Sequence, residues 1–400
     1  MRVLFLGTYP IDLPLHGGQR RAARIVETFR SAGAETRFLS VVPDHLHKDQ
    51  PRSRHTFRAA YRSVRWFRPV PYAADVFSGL FAATDERCVK WLCNNARAFA
   101  PTHIVLEQPF MFPALRALKR RGIGGFRTIY SSQNLEAPLK REILLGEGTN
   151  PVFADKVARY ITALERTLVK AADLVIACSK SEHQIYRSLG AKTLIFCRNG
   201  TDPWEFSTPP ANSNDRFLLT VGSGHPPNAA GFVEMMLNPA LLFLPPDQML
   251  AVAGAMCNRL GNNAAFLAYR EANMRRLSLH PKISDGDLAA LKNQAHGFFL
   301  PIRSGGGSNL KTAEAIISGK WVVATTTALR SFEEFVGQPG IIVEDDPASF
   351  CRAIRETLAR ASLELDPDSM NKRSEVLWSR SLAPLREWIE NQVETIPKAG

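Results

Sequence analysis

At 400 residues the chain has room for two or three domains, each with its own core. Its 45% hydrophobic and 22% charged residues exclude a disordered chain, and no apolar run approaches the ~20 residues that cross a bilayer. Six cysteines without a CxxC pair exclude a disulfide framework and a zinc ribbon. The charge is uneven. Residues 1–200 hold 31 Lys and Arg against 16 Asp and Glu, a balance of +15; the whole chain carries +12, which leaves −3 for residues 201–400. Two domains with different partners fit that split, the basic one facing an anionic membrane, a phosphorylated substrate or nucleic acid.

The N-terminal MRVLFLGTYP has an apolar stretch too short for a secretory signal and reads as a first buried strand. With reduced thiols, this predicts a cytoplasmic protein. A helical pattern over 18–31 follows. Strand-length apolar runs then recur at 36–42, 103–108, 126–132, 173–179 and 193–198, alternating with helical segments. Such runs suit strands buried on both faces of a parallel sheet. Residues 199–215, rich in Pro, Asn, Ser and Asp, read as a boundary. Five further runs at 216–222, 249–254, 297–302, 321–326 and 340–345 repeat the pattern. The reading is two doubly wound α/β domains, 1–200 and 201–370, with an amphipathic helix in 371–400 returning to the first.

Ligands of open α/β sheets sit beyond the carboxyl ends of the strands, so the loops there carry the candidates. After the first strand, Gly17 and Gly18 precede a helix; the spacing is not GxGxxG, and a plain turn is the alternative. The strongest segment is PIRSGGGSNLKTAEAIISGKWVVATT at 301–326. A strand enters a three-glycine loop, Ser308 and Asn309 are good N-caps, and a helix follows. The amides of residues 307–310, the positive end of the helix dipole and Lys311 make a cradle for a diphosphate. Glu314, a turn further on, repels phosphate and suits the hydroxyls of a ribose diol, or it is a solvated helix residue. Residues 51–72 interleave arginines with aromatics, and Arg58, Arg62 and Arg65 fall at helical spacing near Trp66. A membrane surface, a nucleic-acid strand or a solvated arginine face would each use that pattern.

The segment GGGSNLKTAEAIISGKWVVAT resembles the donor-binding signature of GT-B glycosyltransferases of the large retaining group called family 4. Weaker pieces follow the family's order: Gly17 and Gly18, SSQNLEAPLKREI (131–143), ADLVIACSKSE (172–182), CRNGTD (197–202) and LLTVGSGHPPNAAGF (218–232). The resemblance implies two Rossmann-like domains facing across a cleft, with a nucleotide diphosphate sugar mainly on the second and a hydroxyl acceptor mainly on the first. Donor binding would fall to Gly17, Gly18, Gly222, Ser223, Asn228, Arg303, Gly306, Gly307, Ser308, Asn309, Leu310, Lys311 and Glu314. Acceptor binding would fall to Gln133, Asn134, Glu136, Arg62, Arg65 and Trp66. Glu107, Gln108 and Lys311 are the catalytic candidates, Glu107 standing where the family has a histidine. No metal or other cofactor and no nucleic-acid partner are expected. A lipid-linked or glycan acceptor would place the enzyme peripherally at the inner membrane face.

Three departures stand out. The first of the family's two glutamates in the donor loop is replaced by Gly306, and the Arg and Lys of the first C-domain loop are replaced by His225 and Asn228. The third is Glu107 itself. They leave open a divergent transferase, a nucleotide-sugar 2-epimerase or hydrolase of the same fold, and a non-catalytic binding relative.

Overall fold

The structure is a computed structural model that describes residues 1–14, 16–46, 53–60, 72–204, 216–237 and 239–394. Contacts divide the chain into two compact units. One holds Met1–Arg198, Gly306–Ser308 and the chain from Leu382 onward; the other holds Asn199–Gly305 and Asn309–Ser381.

The first unit carries β1 (Arg2–Gly7), β2 (Glu35–Pro43), β3 (Thr56–Ala59), β4 (His103–Leu106), β5 (Arg127–Ser131), β6 (Leu174–Ala177) and β7 (Leu194–Phe196). Their order is β3-β2-β1-β4-β5-β6-β7, and every pairing is parallel. The second unit carries β8 (Phe217–Val221), β9 (Met249–Ala253), β10 (Leu277–His280), β11 (Gly297–Leu300), β12 (Trp321–Ala324) and β13 (Ile341–Val343). Their order is β10-β9-β8-β11-β12-β13, again all parallel. Both are Rossmann-like doubly wound domains.

Continuous apolar strands follow from burial on both faces. In β1, Leu4 and Leu6 pack with Leu92 and Phe99 of the helix Glu86–Phe99. The intervening Phe5 meets Phe29 of the helix Gly17–Ser31 edge-on at 5.5 Å. In the second sheet, Leu218, Val252 and Phe299 join one core, whereas their neighbours Leu219, Ala251 and Phe298 join the other. Each fully buried side chain of this kind contributes about 1.5–3 kcal/mol.

Two strands escape the sequence pattern. β3 and β10 are the outermost strands of their sheets, short and partly polar, so neither shows a continuous apolar run. Arg58 therefore lies in a strand, not at the start of the helix its spacing with Arg62 and Arg65 predicts. The helix Ala383–Glu394 packs within the first unit. Leu385 and Ile389 are fully buried there, and Trp388 meets the His103 ring edge-on at 6.1 Å.

The turn leaving β4 is fixed by a close backbone approach. Gly79, in the helix Ala74–Thr84, lies so near Phe110 that an added Cβ would stand 1.8 Å from the Phe110 carbonyl oxygen. Gly79→Ala should destabilise the protein by about 1–3 kcal/mol through overpacking, read as a lower urea midpoint at unchanged m-value.

Candidate functional site

In the second unit, β11 runs into Pro301–Gly305, and the helix Leu310–Ile317 begins at the N-cap position Asn309. Gly305 and Gly307 have φ of 114° and 63°, values that favour glycine. The helix's first-turn N–H groups have no intrahelical acceptor. Asn309 makes no side-chain cap bond, and its Nδ2 is buried without a hydrogen-bond partner among the described residues. Lys311 Nζ donates to Asn228 Oδ1 at 2.5 Å, and Asn228 Nδ2 donates to the Ser223 carbonyl at 3.1 Å and hydroxyl at 3.2 Å. Burial lowers the Lys311 ammonium to about 8, against the pull of Glu314. The loop after β8 is thereby tied to the helix Leu310–Ile317. Gly222 lies at its start, where a Cβ would collide with the Met256 side chain.

Glu314 is not a solvated helix residue. Lys292 Nζ donates to its carboxylate at 2.7 Å, and the two side chains are only 14% and 19% exposed. Lys292 also stands 5.7 Å over the Trp204 ring. At the other end of the helix, the buried Arg373 donates to the carbonyls of Ile316, Lys320 and Pro339. A cation there complements the negative end of the dipole. Arg303, expected at the donor, is turned elsewhere: its Nε donates to Glu234 at 2.8 Å and a terminal nitrogen to the Asp345 carbonyl at 3.2 Å.

In the first unit the ends of β1, β4 and β5 bring the predicted residues together. Gln133 Nε2 donates to the Gly18 carbonyl at 3.3 Å, to Glu107 Oε2 at 3.5 Å and to the Tyr9 hydroxyl. Gly17 and Gly18 open their helix behind a His16–Gln19 capping box, and a Cβ on Gly18 would press to 2.5 Å from Gln133 Oε1. Ser131 Oγ donates to Glu107 at 3.3 Å, and Thr8 Oγ1 to Gln108 at 2.6 Å. Glu107 is fully buried, with its Oε1 unpartnered among the described residues, and Gln108 is 8% exposed. Burial pushes the Glu107 carboxyl up to about 7; Arg21, Gln133 and Ser131 pull it down.

A second polar cluster lies behind. Asn134 Nδ2 donates to Glu136 at 3.4 Å, and Lys140 is ion-paired with Asp75 at 2.6 Å. Tyr130 and Tyr186 donate to Glu165 at 2.6 and 2.9 Å. Burial pushes Glu136 up to about 8 and Glu165 up to about 7. Gly306–Ser308 group with this first unit, where the Gly307 N–H donates to Glu182 at 3.1 Å. The amides of 307–310 are therefore not all free. Arg62, Arg65 and Trp66 lie outside the described residues.

Residues 16–195 match the family model described as glycosyl transferase 4-like domain, and residues 217–360 match that of glycosyl transferases group 1. The chain belongs to the GT-B glycosyltransferases. No curated protein matches its sequence. Among solved structures, this glycosyltransferase is similar to sucrose-phosphate synthase from Thermosynechococcus elongatus, at 14% identity and a TM-score of 0.66 over 99% of this chain and 98% of that one. It is similar to Anabaena HepE in complex with UDP, at 13% identity and TM-score 0.64 over 99% and 100%. The catalytic domain of Arabidopsis thaliana starch synthase IV, bound to ADP and acarbose, matches at 11% identity and TM-score 0.64 over 98% of each chain. At these identities the likeness is one of fold. No helix among the described residues is long and apolar enough to cross a membrane.

No sequence pattern marks Lys292 or Arg373. Arg21 carries a signal: it falls four residues before Ile25 and eight before Phe29, on the buried stripe of its helix. The buried carboxyls give a pH test. Glu107, Glu136 and Glu165 hold their protons above the ordinary value of 4.5, so folding binds protons. Their contribution is complete below that value and is lost as pH rises through about 7 to 8. Urea midpoints should therefore fall between about pH 5 and 8. Glu107→Gln, which cannot titrate, should flatten that fall by about 1–3 kcal/mol.

Proposed function

We propose that this glycosyltransferase moves a sugar from a nucleoside diphosphate sugar to a hydroxyl of a glycan or lipid-linked acceptor, with retention of configuration and without a metal. The observation that carries the reading is the pairing, on one short helix, of Lys311 and Glu314. The first is a half-buried cation bound to Asn228, and the second a carboxylate paired with Lys292. The helix start and Lys311 supply positive potential for a diphosphate; Glu314 accepts hydrogen bonds from ribose hydroxyls. The buried Nδ2 of Asn309 is a further donor in search of an acceptor.

In the reaction the bond between the anomeric carbon and the diphosphate oxygen breaks. The acceptor oxygen bonds to that carbon, and its proton passes to the departing diphosphate. Negative charge grows on the leaving oxygens, where the Lys311 ammonium stabilises it more than in the ground state. A neighbouring anion raises the Lys311 pKa from about 8 and keeps it protonated. Glu107, fully buried under Gln133 and Ser131, serves as a positioning residue for Gln133 and the Gly18 carbonyl, not as a base open to the acceptor. The solved complexes of HepE with UDP and of starch synthase IV with ADP support a nucleoside diphosphate as the ligand class. The arginine-rich composition of 51–72 supports an acceptor presented at an anionic membrane.

Thermal melts in EDTA with UDP, GDP, ADP and TDP test the donor. One nucleotide at about 100 times its Kd should add about 2.7 kcal/mol. Glu314→Ala should weaken that nucleotide by about tenfold or more. Unshifted melts with all four would refute the reading, and activity that requires added magnesium would refute its metal-free part. Nucleotide released at full rate without acceptor would assign the chain to the hydrolases instead. Lys292→Met should raise the donor KM by about tenfold with a smaller change in kcat, because it acts through Glu314.

A further inference from the structure

Strands β2 and β3 are unequal, and the mismatch leaves a notch in the first sheet's edge. β2 has nine residues, whereas β3 has four and pairs only with Ser40–Pro43. The first half of β2 therefore has no strand beside it on that edge among the described residues. Arg54 and His55, just before β3, lie at this gap; the His55 carbonyl accepts from the Ser40 N–H at 3.0 Å. Backbone directions alternate along a strand, so the N–H groups of Thr36 and Phe38 point to the same side as that of Ser40, beyond the reach of β3.

A cavity of about 350 Å³ fills the notch, lined in part by Arg30, Arg37, Thr36, Phe38, Arg54 and His55. An adjoining cavity of about 290 Å³ shares Arg37, Arg54 and His55 and adds Asn95. Arg37 stacks on the Phe99 ring at 4.6 Å, a contact that fixes its direction and leaves its hydrogen-bond donors unspent among the described residues. Asp12 and Glu35 line the larger cavity as well. A site with three guanidiniums, that of Arg30 bonded to Glu27 at 3.3 Å and Thr36 at 3.2 Å, together with two strand-edge N–H groups and two carboxylates, matches an anion that also carries hydroxyls.

We propose that the notch binds a phosphorylated polyol, its phosphoryl group held by Arg37, Arg54 and the edge N–H groups, its hydroxyls by Asp12 and Glu35. This site lies within the first unit and is independent of the donor assignment.

His55 reports on it. Its pKa is lowered by burial, then by Arg54 and Arg37, while Asp12 raises it; Arg30 and Glu35 also face the cavity. A bound phosphoryl group must raise that pKa, so binding tightens as pH falls through the His55 range. The experiment titrates the full-length enzyme with glycerol 3-phosphate, following the His55 ring proton resonances, assigned by their loss in His55→Gln. The expected result is a shifted resonance and a raised pKa, with no effect of glycerol. Arg54→Gln should weaken binding about tenfold; Arg54 is exposed and its loss leaves the fold intact. A His55 signal unmoved by glycerol 3-phosphate, or moved equally in Arg54→Gln and Arg37→Gln, would overturn the proposal. Phosphate bound only at the donor loop would leave His55 unmoved, so the two sites are read apart. Vesicles of phosphatidylcholine with and without phosphatidylinositol distinguish the sources. Arg54-dependent retention on the phosphatidylinositol vesicles assigns a lipid headgroup, and a glycerol 3-phosphate shift without such retention assigns a soluble ligand.

Discussion

The candidate residues at the strand exits of this enzyme depend on one constraint: parallel strands bury both faces. With helices on each side of both sheets, a polar side chain in a strand interior would carry an uncompensated desolvation cost. Val3–Leu6 of β1 and Leu218–Leu219 of β8 are accordingly apolar and fully buried. Chemistry is displaced to the strand ends, where the chain leaves the sheet and backbone groups lose their ladder partners. Glu107 and Gln108 after β4, Ser131 at the end of β5 with Ser132 and Gln133 beyond it, and Arg303 to Asn309 after β11 all sit at such exits.

Charges drawn into these exits are compensated locally. Glu314 has Lys292 at 2.7 Å, Lys140 has Asp75 at 2.6 Å, and Glu165 takes two tyrosine hydroxyls. Lys320 distributes its ammonium over the carbonyls of Lys292, Asn293 and Ala295, at 3.0, 2.5 and 2.5 Å. Burial moves the proton equilibrium even so: Glu107, Glu136 and Glu165 hold protons longer, and Lys311 and Lys320 release theirs sooner. A carboxyl that titrates near neutrality lowers the stability of the core around it once it ionises. Such groups concentrate where function needs them.

The helix Leu310–Ile317 gathers these effects in eight residues. Its start carries Lys311, its body Glu314, and its end rests on Arg373. Gly306 leaves no carboxylate at the loop position where the resemblance expects a glutamate.

The sequence by itself determined the two doubly wound domains, eleven of the thirteen strands among the described residues, and the glycine loop with its helix. These are local signals: apolar runs, turn residues and capping positions that each segment carries without its neighbours. It also placed Gly18, Glu107, Gln108 and Gln133 at strand exits. Only tertiary structure joined them, because Gln133 meets Gly18 and Glu107 across gaps of 115 and 26 residues. The same holds for Lys292 on Glu314, for Arg303 turning to Glu234, and for the buried state of Glu107. Edge strands β3 and β10 were hidden for a related reason: a strand with one neighbour need not be apolar throughout, and its pairing is written in the partner strand.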